Sequence, residues 1–229
     1  MKRPLYLHEE LLLLALRREE GTLHPGVSCE MGLGGAIFSE LTLRGRIEVK
    51  DSRWSKKVLV CRSEPIGDPL LDECLEMIRK GRAAQAPEYW IMRFACIREL
   101  RHRVAASLCD KGILREEQGL FLLFFSRRIY PTTDPRRRQT LTERLSRAIF
   151  TDTEDFEART VVLLSLAEQI HVLRHHFDKR RLKDRKERIQ KLVKGELLSE
   201  ELRRATESAA AIQVALQCTA TIPMAVYSG

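Results

Sequence analysis

The chain has 229 residues, 44% of them hydrophobic, which suffices for one sizeable packed core and excludes a chain disordered throughout. Its 40 Lys and Arg against 32 Asp and Glu give a formal charge of +8, so a polyanion, either nucleic acid or an anionic lipid surface, is the expected kind of partner. The longest apolar runs, 11–16 and 120–125, fall far short of the roughly 18–20 residues of a membrane-spanning helix, and six scattered cysteines without a C-x-x-C pair fit reduced thiols in a cytoplasmic protein.

In chain order, the leucine block at 11–16 predicts a buried central helix over 7–18 that stops near Gly21. A glycine-rich turn at 32–35 (GLGG) leads into a short helix over 36–43, and 46–50 (RIEVK) with 56–62 (KKVLVCR) predict a β-hairpin. Asp68-Pro69 opens a helix that Gly81 closes, and Pro87-Glu88 opens another running to about 109. Residues 119–128 (GLFLLFFSRR) are β-like, and 129–133 (IYPTT) read as a loop tip. Beyond Asp134-Pro135 the three-to-four-residue apolar spacing predicts helices over 135–150, 156–177, 179–194 and 199–217. The expected fold class is mainly α: a single compact helical domain over 1–229, decorated with small β-hairpins.

Chemistry-bearing motifs are sparse. The GLGG segment lacks the preceding strand and the following Lys-Ser/Thr of a phosphate loop. His171 and His175 have a spacing that can hold a metal, but no third ligand stands nearby. Glu9-Glu10 and Glu116-Glu117 are adjacent positions, which diverge on a helix and read as solvated faces. The expectation is a protein that is not an enzyme, with no cofactor and no metal.

Two basic groups stand out. Phe94, Ile97, Leu100, Val104 and Leu108 form an apolar stripe, and Arg101 falls within its span with Arg98 one turn before it. An arginine drawn toward a core needs an anionic partner, either an internal carboxylate or a bound phosphate. Arg127, Arg128, Arg136, Arg137 and Arg138 surround Ile129, Tyr130 and Pro131, which suits an apolar tip entering a headgroup layer or, equally, an exposed solvated turn. The basic stretch 179–194 is interrupted by Asp184 and Glu187 and reads as a solvated helix face. With 6% aromatic content and no RNA-binding motif, nucleic acid is not the expected partner.

The segments LLLLAL (11–16), GLGG (32–35), ELTLRGRI (40–47), GDPLLDE (67–73), LRHRV (100–104), KGIL (111–114) and FLLF (121–124) stand in an order that resembles the Golgi phosphoprotein 3 family over nearly the whole chain. That resemblance implies a mostly helical fold on the cytosolic face of a membrane, the Golgi membrane in a eukaryotic cell. It implies binding of phosphatidylinositol 4-phosphate or another anionic lipid, and an adaptor role toward cytosolic tails of membrane proteins. The family's Arg-x-x-Arg headgroup ligands fall on Arg98 and Arg101. The other two pocket positions fall near His24 and on Gly34, where the family has a tryptophan and an arginine. The membrane-entering hairpin falls around 128–133. Two alternatives remain open: a protein-interaction adaptor without specific lipid recognition, and a basic nucleic-acid-binding protein.

Overall fold

A computed structural model of the protein describes residues 4–52, 55–81, 85–121, 125–153 and 156–194. The architecture is mainly helical, with two small antiparallel hairpins. Helix α1 (Leu7–Ala15) lies at the centre with every residue buried. It packs on α2 (Cys29–Leu43), α5 (Leu100–Asp110), α6 (Pro135–Phe150) and α7 (Ala158–Gln169).

A buried helix still presents four unbonded N–H groups at its start, together with the positive end of its dipole. Three buried carboxylates meet that need. Tyr6 N–H donates to Glu9 Oε2 at 3.0 Å, and Leu7 N–H donates to Glu40 Oε2 at 2.7 Å. Glu9 also receives Ser107 Oγ at 2.7 Å and the Lys111 ammonium. Arg159 bridges Glu10 and Glu40 at 3.3 and 3.0 Å, Arg144 adds a contact to Glu10 at 2.9 Å, and Arg44 Nε holds Glu40 at 2.6 Å. Glu9-Glu10, which the sequence places on a solvated face, is instead the electrostatic clamp on the central helix.

Helix α2 corrects a second expectation: residues 32–35 form no turn but lie inside the helix, buried. A Cβ built on Gly34 would stand 2.6 Å from Ile91 O and 2.9 Å from Ala95 N, so the backbones of α2 and α4 (Pro87–Ala95) touch there. Only glycine permits that approach. Strands β1 (Ile47–Ser52) and β2 (Ser55–Val60) form the expected hairpin, Ile47 opposite Val60, with Ile47 and Val58 buried. Helix α3 (Pro69–Arg79) begins where Asp68 accepts from Leu70 N and Leu71 N at 3.1 and 2.9 Å, and buries Leu70, Leu71, Cys74, Leu75 and Ile78.

Several predicted helices are broken. The one expected over 87–109 is two, α4 and α5, because Glu99 takes a left-handed conformation (φ 56°). The helix expected over 156–177 ends at Gln169, and His171 (φ 61°) precedes a 3-10 turn at Leu173–His175. His171 and His175 therefore share no helix face. The basic stretch divides at Arg185 into α8 (Lys179–Asp184) and α9 (Lys186–Val193). Residues 199–217 lie outside the described residues.

The second hairpin pairs β3 (Glu117–Phe121) with β4 (Phe125–Ile129), in the register Glu117 to Ile129 and Phe121 to Phe125. Its turn end is therefore at 121–125, and residues 122–124 lie outside the described residues. Ile129, Tyr130 and Pro131 are at the opposite end, the base. Tyr130 is 2% exposed and Pro131 is buried, so the apolar tip expected at 129–133 is anchored in the body of the protein.

Candidate anion-binding site

The base of the second hairpin forms one wall of a cleft of about 380 Å³. Helix α1 ends at Leu16, where the backbone becomes extended, and the chain loops through Gly21 at φ +63°. A Cβ on Gly21 would stand 2.3 Å from Pro131 N and 2.4 Å from the Tyr130 backbone, so the loop and the hairpin base are in direct contact. Tyr130 N–H donates to Gly21 O at 2.9 Å, and Thr132 N–H donates to Arg18 O at 3.0 Å. On the other side Arg115 N–H donates to Pro131 O at 3.1 Å and Thr133 N–H to Ile113 O at 2.9 Å. Residues 130–133 are thus strapped on both sides, which explains the burial of Tyr130.

The cleft walls come from three places: Leu16, Arg17, Gly21, Thr22 and Leu23 after α1, Arg101 on the first turn of α5, and Arg127, Arg128 and Tyr130 on the hairpin. Four arginines line the cleft, and among the described residues no carboxylate lines it. Carboxylates stand outside it instead: Glu20 holds Arg17, Glu99 holds Arg128 at 2.6 Å, and Glu30 lies 3.9 Å from Arg101. Each of these pairs is partly solvated, so each is weak enough for a phosphate to displace. Guanidinium groups converging on one concavity favour bidentate recognition of phosphate oxygens. Behind the wall, His102 Nδ1 lies 2.8 Å from Tyr130 Oη and His102 Nε2 lies 3.4 Å from Arg101 Nη2.

Of the four headgroup positions inferred from the sequence, Arg101 alone lines this cleft. Arg98 is exposed and outside the lining, and Gly34 is enclosed between α2 and α4. The His24 ring stacks on His175, centroids 4.4 Å apart, and meets His176 edge-on. Burial, with those two rings beside it, depresses the His24 pKa to about 4. Of the five arginines grouped around 129–131, Arg127 and Arg128 line the cleft, while Arg136 and Arg137 lie on the first turn of α6, beyond it. Arg138 is buried, 9% exposed, and donates to Leu16 O and to Thr132 Oγ1, so it ties α6 to the end of α1 and has no membrane-facing role. Arg17 and His102 were missed. Arg17 fell within a helix expected to run to 18, and His102 stood unremarked between two arginines.

Two other features are set aside. His8, Glu9 and Asp68 bring ligand-type atoms within 4.8 Å of one another, but Glu9 is engaged by Lys111 and Ser107 and Asp68 caps α3. A larger cavity of about 510 Å³ lies beside α8 and α9, with an apolar floor of Leu182, Ile189 and Val193. Its rim includes Lys194, the last described residue. Arg185 and Arg188 of the same basic stretch donate to Asp152, Phe150 O, Ala148 O and Thr153 O, and are committed to the protein itself.

The sequence matches the family model described as Golgi phosphoprotein 3 (GPP34) over residues 7–209. It is 29% identical over 201 residues to vacuolar protein sorting-associated protein 74 of Eremothecium gossypii, covering 74% of this chain. The chain spans 60% of the length of that relative. No helix among the described residues is long and apolar enough to cross a membrane. A family match that runs from the central helix through α9 takes in every element that builds the cleft, and the chain belongs to the Golgi phosphoprotein 3 family.

Proposed function

We propose that the protein is a peripheral membrane protein of the trafficking machinery, a single Golgi phosphoprotein 3-like domain that docks on an anionic membrane. The observation that supports this reading is the cleft lined by four arginines and, among the described residues, by no carboxylate. A lipid headgroup phosphate is met there by Arg101, Arg128, Arg127 and Arg17, in competition with the carboxylates outside the cleft. Phosphatidylinositol 4-phosphate is the candidate lipid, because its phosphomonoester carries about 1.5–2 negative charges near neutral pH and offers three acceptor oxygens. The name of the Eremothecium relative refers to protein sorting, which supports an adaptor role toward tails of membrane proteins on the cytosolic face of the Golgi membrane.

Vesicle sedimentation tests the reading. Binding is expected to vesicles containing phosphatidylinositol 4-phosphate, to weaken with added salt, and to fall at least about tenfold in Arg101→Ala with Arg128→Ala. Arg98→Ala is expected to change it by less than about twofold. Equal binding to neutral vesicles, or an undiminished double variant, would remove the cleft from the function.

A further inference from the structure

One side chain behind the cleft touches two of its walls and carries an ionisable ring. His102 follows Arg101 on the first turn of α5 and is half-buried. Its Nδ1 lies 2.8 Å from Tyr130 Oη, and its Nε2 lies 3.4 Å from Arg101 Nη2. A guanidinium only donates, so Nε2 facing it is the unprotonated nitrogen. The ring proton then sits on Nδ1 and is donated to Tyr130 Oη. The ring ties the hairpin base to the cation on α5 only while it is neutral.

We propose that His102 is the proton-linked positioning residue of the cleft: the neutral ring holds Arg101 through Nε2, and its protonation, which turns Nε2 into a donor, releases Arg101 to a phosphate-type anion. This inference rests on the proposed anion-binding role of the cleft.

The charged and titratable surroundings of the ring are known from each element packed against it. Arg101 comes from its own helix, Glu99 from the cap of that helix, Arg128 and Tyr130 from the hairpin, and Glu116 from the segment before β3. Burial is the main influence that lowers the basicity of His102, followed by the charges of Arg101 and Arg128, with Glu99 and Glu116 opposing. An anion seated between Arg101 and Arg128 offsets the two cations responsible. The ring is then easier to protonate in the occupied cleft than in the empty one, and linkage fixes the sign: binding takes up a proton and tightens as pH falls.

The test uses the full chain and anions that do not themselves titrate near neutrality. Vesicles containing phosphatidylglycerol present a phosphodiester headgroup, and sulfate presents a free anion. Between about pH 8 and about pH 6, binding to these vesicles is expected to tighten roughly three- to tenfold. His102→Gln is expected to lose the gain between the two pH values, whatever its affinity at the higher one. Nuclear magnetic resonance titration of the His102 ring, independent of any variant, is expected to show its pKa rising when sulfate is added. A rise with vesicles and none with sulfate assigns the effect to the lipid headgroup, and a rise with both assigns it to the anion itself. Binding that is present but has the same pH slope in His102→Gln, or a ring pKa indifferent to both anions, overturns the inference and leaves the cleft assignment standing. Absence of binding to these vesicles and to sulfate at both pH values overturns the inference, and absence of binding to vesicles containing phosphatidylinositol 4-phosphate overturns the cleft assignment as well.

Discussion

A glycine and a tyrosine show how one residue type can be read in two opposite ways. Gly34 stands where the family has a pocket arginine, which invites the view that the site has lost a ligand. In this structure the position is where two helix backbones meet, with Ile91 O 2.6 Å from where a Cβ would be. Replacing Gly34 with alanine removes the helix penalty of glycine, about 1 kcal/mol, but forces α2 and α4 apart against backbone atoms, for which about 1–3 kcal/mol is usual. The steric cost is expected to win. Gly34→Ala should lower unfolding free energy by up to about 2 kcal/mol in urea denaturation, and Gly34→Arg should lower it further with no gain in vesicle binding. A Gly34→Ala protein as stable as the original would show that the helices can move apart freely. Tyr130 is the converse. Its neighbours Ile129 and Pro131 make it resemble an exposed apolar tip, yet four backbone hydrogen bonds along 130–133 and the His102 contact fix it inside. Nothing in a five-residue window reports contacts made with residues more than a hundred positions away, such as Gly21.

At the scale of elements, local signals sufficed where local chemistry starts or stops a helix. Asp68-Pro69 and Asp134-Pro135 carry a capping side chain and a proline suited to the first turn, and both helices begin there. The Asp68 cap is buried, so its loss exposes nothing to water in compensation. Asp68→Ala should cost about 1–2 kcal/mol, while Asp68→Asn, which keeps an acceptor for Leu70 N and Leu71 N, should recover most of it. An alanine variant with an unchanged urea midpoint would remove the cap from the account. The helix ends that were not legible are those set by tertiary packing. The apolar period runs on through 94–108, but the chain reverses local hand at Glu99 so that Arg101 faces the cleft while Leu100 and Val104 stay in the core. The cleft was legible only in part for the same reason. Arg101, Arg127 and Arg128 belong to groups visible in sequence, whereas Arg17 enters because α1 stops at Leu16 and the following loop turns back against the hairpin.

Over the whole molecule, the acid response follows from buried rings as well as buried carboxylates. His8, His24 and His176 all have pKa values below the ordinary 6.5, His24 at about 4, and burial is the leading cause for each. In the unfolded chain these rings take up protons that the folded protein resists, so the unfolded state binds more protons throughout that interval. Stability is therefore fully present above about 6.5 and is expected to decline as pH falls toward 4. A second loss follows below the ordinary carboxylate range. Burial alone would raise the Glu9 pKa, but Lys111, Ser107 and the Tyr6 N–H overcome it and hold the carboxyl down. Thermal unfolding followed from neutral to acid pH should show both steps, and His24→Gln should flatten the first. A stability that is level through the first interval, or that rises as acid is added, would contradict the assignment. The location of these rings joins this response to the cleft. His176 Nε2 lies 2.8 Å from Leu14 O, and the backbone N–H of His24 donates to Ala15 O at 2.9 Å. Both contacts are at the end of α1 that launches the Arg17 loop. Charging His24 sets its ring against His175, His176, Arg138 and Arg17 and would loosen the loop side of the cleft, well below the pH at which His102 is proposed to act. The rise in anion binding near neutrality and its loss in stronger acid should consequently be separable, the first abolished by His102→Gln and the second shifted by His24→Gln.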